Sequence, residues 1–109
     1  MNTNEANKII AEYMGWYVDD HLNHGLCWNH PDIYDRNVLD NCPRYSESLD
    51  ALVPVLEKLQ SVSKFEIDIT VRHSDGEWHC DYANKIYTAA DTIQLAAAIA
   101  TARAIKELK

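Results

Sequence analysis

Histidines and one cysteine recur at every third position in one segment of this 109-residue chain. His21, His24, Cys27 and His30 supply imidazole nitrogens and a thiolate sulfur, the ligand types that zinc binds in fours. Zinc ligands more often come as two close pairs separated by a longer span, and four ligands within ten residues need a tightly wound loop. The segment therefore has two interpretations: it is a metal site, or it is a polar loop that contains three histidines without binding a metal.

Aromatic side chains are the second group with recognisable chemistry. The chain has three tryptophans and six tyrosines, and these two types are enriched at recognition hot spots and can stack on nucleobases. Their alternative role is to anchor a long loop on the core. The aromatic candidates for contacts with a ligand or a partner are Trp16, Trp28, Tyr34 and Tyr45.

A predicted β-hairpin carries the third group on its polar face. Arg72 lies beside His79 there, and Asp68 lies near Asp81, an arrangement that could support acid–base chemistry or bind a small anion. Similar pairs occur on any solvated sheet face. The three glycines are too scattered for a phosphate-binding loop, and the chain has no nucleophile elbow. We therefore expect a non-enzymatic protein without a cofactor, and we keep Arg72 and His79 as binding candidates.

The hairpin itself is predicted from strict alternation and a turn dipeptide. Residues 64–72 alternate between apolar and polar types. Asp75 and Gly76 favour a type I′ turn, because both central residues of that turn need a positive φ. Pairing outward from the turn places Val71 opposite Cys80, so that the apolar residues of both strands share one face.

Apolar residues at helical spacing predict three helices, over residues 3–14, 46–60 and 92–108. Side chains that can accept hydrogen bonds from first-turn amides mark their starts. These are Thr3 or Asn4 for the first helix, Ser46 for the second, and Asp91 with Gln94 for the third. Pro54 conflicts with the second helix because it lacks an amide donor. Either Pro54 kinks that helix, or the helix starts near Leu52.

The last helix is unusually rich in alanine. Eight of the twelve alanines lie between Ala89 and Ala104, and the run from Leu95 to Ala100 has no polar residue. More than one side of this helix must therefore be covered. Small side chains allow a close approach to a sheet or to a second copy of the chain. The candidates for self-association are Ala96, Ala97, Ala100 and Ala104.

Residues 19–45 have no clear period and are rich in turn-forming types. We expect an irregular loop that packs partly on the body. A further short strand is expected around residues 86–88. Together these elements predict a single α/β (α+β) domain over residues 1–109. Its architecture is a small sandwich of an antiparallel hairpin or sheet with three helices, in the order helix–loop–helix–strand–strand–helix.

The charge is negative and unevenly distributed. The chain carries ten Lys and Arg against 17 Asp and Glu, a formal charge of −7, which argues against general nucleic-acid binding. Residues 19–45 hold five aspartates against two arginines, and residues 65–83 hold five acids against one arginine. No apolar stretch approaches the length of a membrane span. The odd cysteine count without a secretory signal favours reduced thiols in a cytosol.

Three segments in this order resemble the small bacteriophage proteins described as the phage ABA sandwich domain. They are Tyr13-Met14-Gly15-Trp16, then Pro43-Arg44-Tyr45-Ser46 leading to Leu56-Glu57-Lys58-Leu59, and Tyr87-Thr88-Ala89-Ala90-Asp91-Thr92-Ile93-Gln94-Leu95-Ala96. The family usually has a proline where this chain has Ile93. The resemblance implies a phage or prophage protein with an α/β sandwich and implies no reaction.

The functional expectation combines the acidity, the aromatics and this resemblance. We expect a small acidic phage accessory protein that acts in the host cytoplasm by binding, for instance as a counter-defence inhibitor of a host protein. One alternative is an oligomeric sponge that sequesters a nucleotide immune signal, and another is a metal-binding domain. The expected partners are thus a host protein or a small nucleotide, with homo-oligomer formation, and neither nucleic acid nor membrane.

Overall fold

The fold comes from a computed structural model that describes residues 1–21, 25–30, 42–62, 69–82 and 86–107. It confirms the α+β fold with three α-helices, and the described residues form two small antiparallel sheets where one was expected. In chain order the elements are α1 (Thr3–Tyr13), β1 (Tyr17–His21), β2 (Gly25–Asn29), a 3₁₀ helix (Tyr45–Glu47), α2 (Leu49–Val62), β3 (Ile69–Ser74), β4 (Glu77–Tyr82), β5 (Ile86–Ala90) and α3 (Ile93–Glu107).

The larger sheet has the strand order β3–β4–β5. Its hairpin has the predicted register, with Val71 opposite Cys80. Asp75 and Gly76 have φ values of +56° and +79°, the positive angles that a type I′ turn requires. The expected extra strand is present as β5, which pairs antiparallel with β4. The first part of the predicted strand, residues 64–68, lies outside the described residues.

Helix α3 lies at the centre of the molecule. It packs on β4 and β5 and also contacts α1, α2 and the 3₁₀ helix. Its buried residues occupy about two thirds of the helix circumference, which confirms that more than one side is covered. They are Ala96, Ala98, Ala100, Thr101, Ala102, Ala104 and Ile105.

This burial corrects the self-association candidates. Ala96, Ala100 and Ala104 are buried within a single chain, and Ala97 is half-buried. The three buried alanines have no surface left for a second copy. The small side chains serve instead to bring the helix close to its neighbours inside one chain.

Each helix is capped by a residue other than the one predicted, although α1 begins at Thr3 as expected. The Asn2 side chain accepts from the Glu5 amide at 2.8 Å, so Asn2 caps α1 in place of Thr3 or Asn4. Ser48 caps α2 in place of Ser46, and Thr92 caps α3 in place of Asp91; their hydroxyls accept from Ala51 and Leu95 amides at 3.2 and 3.1 Å. In all three cases the side chain reaches the amide three residues ahead.

Pro54 lies inside α2, which runs without interruption from Leu49 to Val62. The helix therefore begins before Leu52, the later start that Pro54 suggested. Because proline has no N–H, the Asp50 carbonyl loses its helical hydrogen bond. Pro54 is exposed, so water can replace that bond.

The segment expected to be irregular contains regular structure at both ends. Residues 17–21 pair with residues 25–29 as an antiparallel ribbon, with Val18 opposite Trp28. The 3₁₀ helix follows at Tyr45–Glu47. The polar run Asp19–His21 gave no strand signal, because aspartate is depleted in strands. Residues 31–41, including Tyr34, lie outside the described residues.

Candidate functional site

A cleft of about 430 Å³ lies between α1, β2 and the chain around the 3₁₀ helix. We call it the α1 cleft. Its volume falls within the range of about 300–1,000 Å³ that is usual for small-molecule sites. The lining combines two cations, one carboxylate, one indole, one thiol and several neutral polar groups. These residues are Thr3, Asn4, Asn7, Lys8, Trp28, Cys42, Arg44, Ser46 and Glu47.

Asn7 and Ser46 form a buried polar pair in this cleft and are only 6% and 7% exposed. The Ser46 backbone amide donates to Asn7 Oδ1 at 2.8 Å, and Asn7 Nδ2 donates to Ser46 Oγ at 3.0 Å. Because a backbone amide can only donate, the orientation of the Asn7 side chain is fixed, and Ser46 Oγ is the acceptor. The pair ties the 3₁₀ helix to α1 and sets the distance between two walls of the cleft.

The same pair leaves two donors unused. Asn7 Nδ2 carries a second hydrogen, and Ser46 Oγ still has its hydroxyl proton. Within the parts of the chain that the structure describes, neither hydrogen has an acceptor. Buried polar groups normally find partners, because an unpaired buried donor costs about 1–3 kcal/mol. The cleft thus offers two spare donors to a ligand oxygen.

Two cations, Lys8 and Arg44, and one carboxylate, Glu47, belong to the described lining of the cleft, although the whole chain carries −7. The carboxylate of Glu12 is not part of this lining but offsets Lys8. Each cation is paired within its own segment, Lys8 with Glu12 at 3.9 Å and Arg44 with Glu47 at 3.5 Å. Both pairs are largely exposed and contribute little to stability, so a ligand can replace them at small cost.

Trp28 supplies the large apolar surface of the cleft. The β1–β2 ribbon positions it opposite Val18, and it is half-buried where it packs against the core. The positive end of the α1 dipole lies at the same cleft, since Thr3 and Asn4 are in its first turn. The cleft therefore combines an aromatic surface with groups that favour an anion.

Cys42 contributes a thiol to the lining of the cleft, and this thiol is a poor nucleophile. Burial raises the pKa of the half-buried thiol, the carboxylate of Glu12 raises it further, and Lys8 opposes both effects. A raised pKa keeps the thiol protonated at neutral pH, and only the thiolate attacks electrophiles. The α1 cleft is thus suited to binding and not to covalent chemistry at this sulfur.

Of the aromatic candidates, Trp28 lies in the α1 cleft and two others have structural roles. Trp16 packs edge-on against His30, with ring centroids 5.3 Å apart. Tyr45 is buried in the core; burial raises the pKa of its hydroxyl, and a hydrogen bond with Trp16 partly opposes that rise. Tyr34 lies outside the described residues.

Arg72 and His79 lie on the larger sheet, opposite each other across β3 and β4, and neither lines the α1 cleft. The His79 ring is held on both sides. Its Nδ1 bonds with the Tyr87 hydroxyl, and its Nε2 lies 3.3 Å from the Ser74 carbonyl. Since a carbonyl only accepts, Nε2 is the donor in the contact with Ser74. These two bonds orient the imidazole.

The proposed metal ligands are not brought together where the structure describes them. His30 Nε2 bonds with the Met14 carbonyl at 2.7 Å, and Cys27 is buried. Among the described residues, no three His, Cys, Asp or Glu side chains are close enough to hold a metal ion. His24 and the side chain of His21 lie outside what the structure describes.

Sequence reasoning did not single out Asn7 or Lys8, and it gave Ser46 only a helix-capping role and a place in the family motif. Asn7 did carry a usable signal, because it precedes Ile10 by three residues and Ala11 by four, and both are fully buried. Residues at these spacings share one helix face, so an amide there indicates a buried hydrogen bond. Its partner, 39 residues away along the chain, could not be read from the sequence.

Comparisons with known proteins return no relative. No family model, no curated protein and no solved structure matches the chain. The resemblance to the phage ABA sandwich domain therefore stays a prediction. In the described portion, no helix is both long and apolar enough to cross a membrane.

Proposed function

We propose that this chain is a non-catalytic binding protein that holds a small anionic ligand in the α1 cleft. One observation carries the proposal: in a chain of charge −7, Lys8 and Arg44 converge on a cleft that has two spare buried donors. Cations that an anion can take over from their exposed carboxylate partners, together with fixed donors, lower the free energy of a bound anion. The protonated thiol of Cys42 is consistent with a role in binding.

The resemblance to phage proteins gives the proposal a biological setting. In that setting the chain is a phage or prophage accessory protein in the host cytoplasm, and it sequesters a small anionic host molecule such as a nucleotide signal. Such capture is a counter-defence activity that needs neither a cofactor nor a metal. The setting rests on the family analogy, whereas the anion site rests on the side chains of the α1 cleft.

Inhibition of a host protein is the second candidate. Tyr17 and Val18 are adjacent on β1 and are 48% and 47% exposed, in a ribbon whose sequence continues with two aspartates. Exposed aromatic and apolar groups beside acidic ones suit a basic protein surface. Salt-sensitive capture of a host protein that Tyr17→Ser abolishes, without an effect of Arg44→Gln, would favour this function.

The anion site is tested by titration with inorganic phosphate, followed through ¹H–¹⁵N NMR spectra. We expect saturable shifts of the Ser46 backbone amide and of the Asn7 side-chain amide. Arg44→Gln should weaken phosphate binding by about tenfold, because a hydrogen bond to a charged group contributes about 1.5–3 kcal/mol.

Arg72→Gln is the matched control, because it removes the same charge from the exposed sheet face and should leave the affinity unchanged. Equal weakening by both variants would reduce the effect to overall charge. An absence of saturable shifts at millimolar phosphate would contradict the proposal.

A further inference from the structure

We infer that the ligand of the α1 cleft is a mononucleotide, with its phosphate on the Asn7–Ser46 pair and its base against Trp28. This inference rests on the proposed function and specifies its ligand. Three observations carry it: the two spare donors, the indole in an otherwise polar lining, and the volume of the cleft.

The phosphate end is defined by groups from two segments. Asn7 and Lys8 come from α1, while Arg44 and Ser46 come from the chain around the 3₁₀ helix. A phosphate has several acceptor oxygens, so it can take the two spare neutral donors and both cations at once. The oxygens of a phosphate are arranged tetrahedrally, whereas both oxygens of a carboxylate lie in one plane, so a phosphate is better matched to donors that come from two segments.

The ring end is defined by Trp28. It is the one aromatic residue among the described residues that line the α1 cleft, and its attachment to β2 and its packing on the core hold it in place. A fixed indole beside an anion site gives little to inorganic phosphate. It gives a base a flat surface on which to stack, and base–aromatic stacking tolerates any base.

The size and charge of the cleft limit the ligand to one phosphate. Its volume of about 430 Å³ lies near the lower end of the usual range for small-molecule sites. Glu47 adds a carboxylate to the lining, paired with Arg44 at 3.5 Å. This carboxylate repels further negative charge, so a triphosphate has no advantage over a monophosphate.

Isothermal titration calorimetry with AMP, ribose 5-phosphate and ATP tests the inference on the full chain. AMP should bind at least about tenfold more tightly than ribose 5-phosphate, since the two differ in the base that stacks. ATP should bind no more tightly than AMP. Trp28→Leu should reduce the affinity for AMP to that for ribose 5-phosphate and leave the latter unchanged.

Trp78→Leu is the matched control, because Trp78 is also half-buried against the core but lies on β4, outside the cleft. It should keep the wild-type preference for AMP. Equal affinities of the wild-type chain for AMP and ribose 5-phosphate would overturn the inference while leaving the anion site intact, and this comparison needs no variant. Tighter binding of ATP than of AMP would overturn the limit to one phosphate. If none of the three compounds bound, the proposed function itself would fail.

Discussion

At the scale of single residues, burial changes the acid–base chemistry of a thiol in the larger sheet. Cys80 is 1% exposed and lies on β4 between Val71 and Thr88 on the neighbouring strands. Burial raises the pKa of this thiol from 9.0 to about 11, and the adjacent Asp81 carboxylate adds to the rise. In the folded chain the thiol thus keeps its proton to a higher pH than in the unfolded chain.

The pH dependence of stability follows from that difference. Between pH 9 and about 11, the folded state binds more protons than the unfolded state, so the free energy of unfolding falls as pH rises. We expect urea denaturation to show a loss on the order of 2 kcal/mol from this group across the window. Cys80→Ala should show a shallower slope, whereas Cys42→Ala should keep most of it. Parallel slopes for wild type and Cys80→Ala would contradict this assignment.

At the scale of elements, two glycines at positive φ end different kinds of structure. Gly15 follows α1 with a φ of +98°, and Gly76 closes the β3–β4 hairpin with a φ of +79°. A Cβ at Gly76 would meet no atom within 4 Å, whereas a Cβ at Gly15 would lie 3.1 Å from His30 Nε2. That nitrogen also bonds with the Met14 carbonyl at the end of α1.

The two glycines should therefore differ in their sensitivity to alanine. Gly76→Ala should cost about 1 kcal/mol of unfolding free energy, which is the backbone strain alone. Gly15→Ala should cost about 2–3 kcal/mol, because it adds a steric conflict that displaces His30 from the α1 terminus. Urea denaturation of both variants measures the difference. Equal costs would show that the contact between Gly15 and His30 has no energetic consequence.

What could be predicted from the sequence depends on how local the causes are. The β3–β4 register followed from the turn at Asp75-Gly76 and from alternation, both of which act over a few residues. The helix caps were displaced by one or two residues, because several neighbouring polar side chains can each serve as caps. The pairing of β1 with β2 was not predicted, because the polar residues 19–21 have low strand propensity and are held in the strand by that pairing.

The residues of the α1 cleft were harder to predict from the sequence than the helices and strands, because fewer of their contacts are local. Trp28 was identified because tryptophan is a frequent recognition residue in any context. Arg44 appeared only as part of a family motif, with no role in binding. The Asn7–Ser46 pair depends on the packing of the 3₁₀ helix against α1, which brings together residues 39 positions apart. Tertiary contacts of this kind leave only a weak trace in the sequence, here a lone amide on a buried helix face.

At the scale of the whole molecule, the fold depends on a helix narrow enough to be enclosed. Helix α3 lies between the larger sheet and the layer of α1, α2 and the 3₁₀ helix, and alanine keeps its diameter small.

Ala98 is fully buried, while its neighbour Ala97 is half-buried. Ala98→Leu should lower the free energy of unfolding by about 1–3 kcal/mol, because overpacking forces the enclosing layers apart. Ala97→Leu adds the same atoms where part of the surface is open, so it should cost less than about 1 kcal/mol. Chemical denaturation of the two variants, made one residue apart in the same helix, isolates the effect of enclosure from helix propensity. Equal destabilisation would show that α3 is not tightly enclosed.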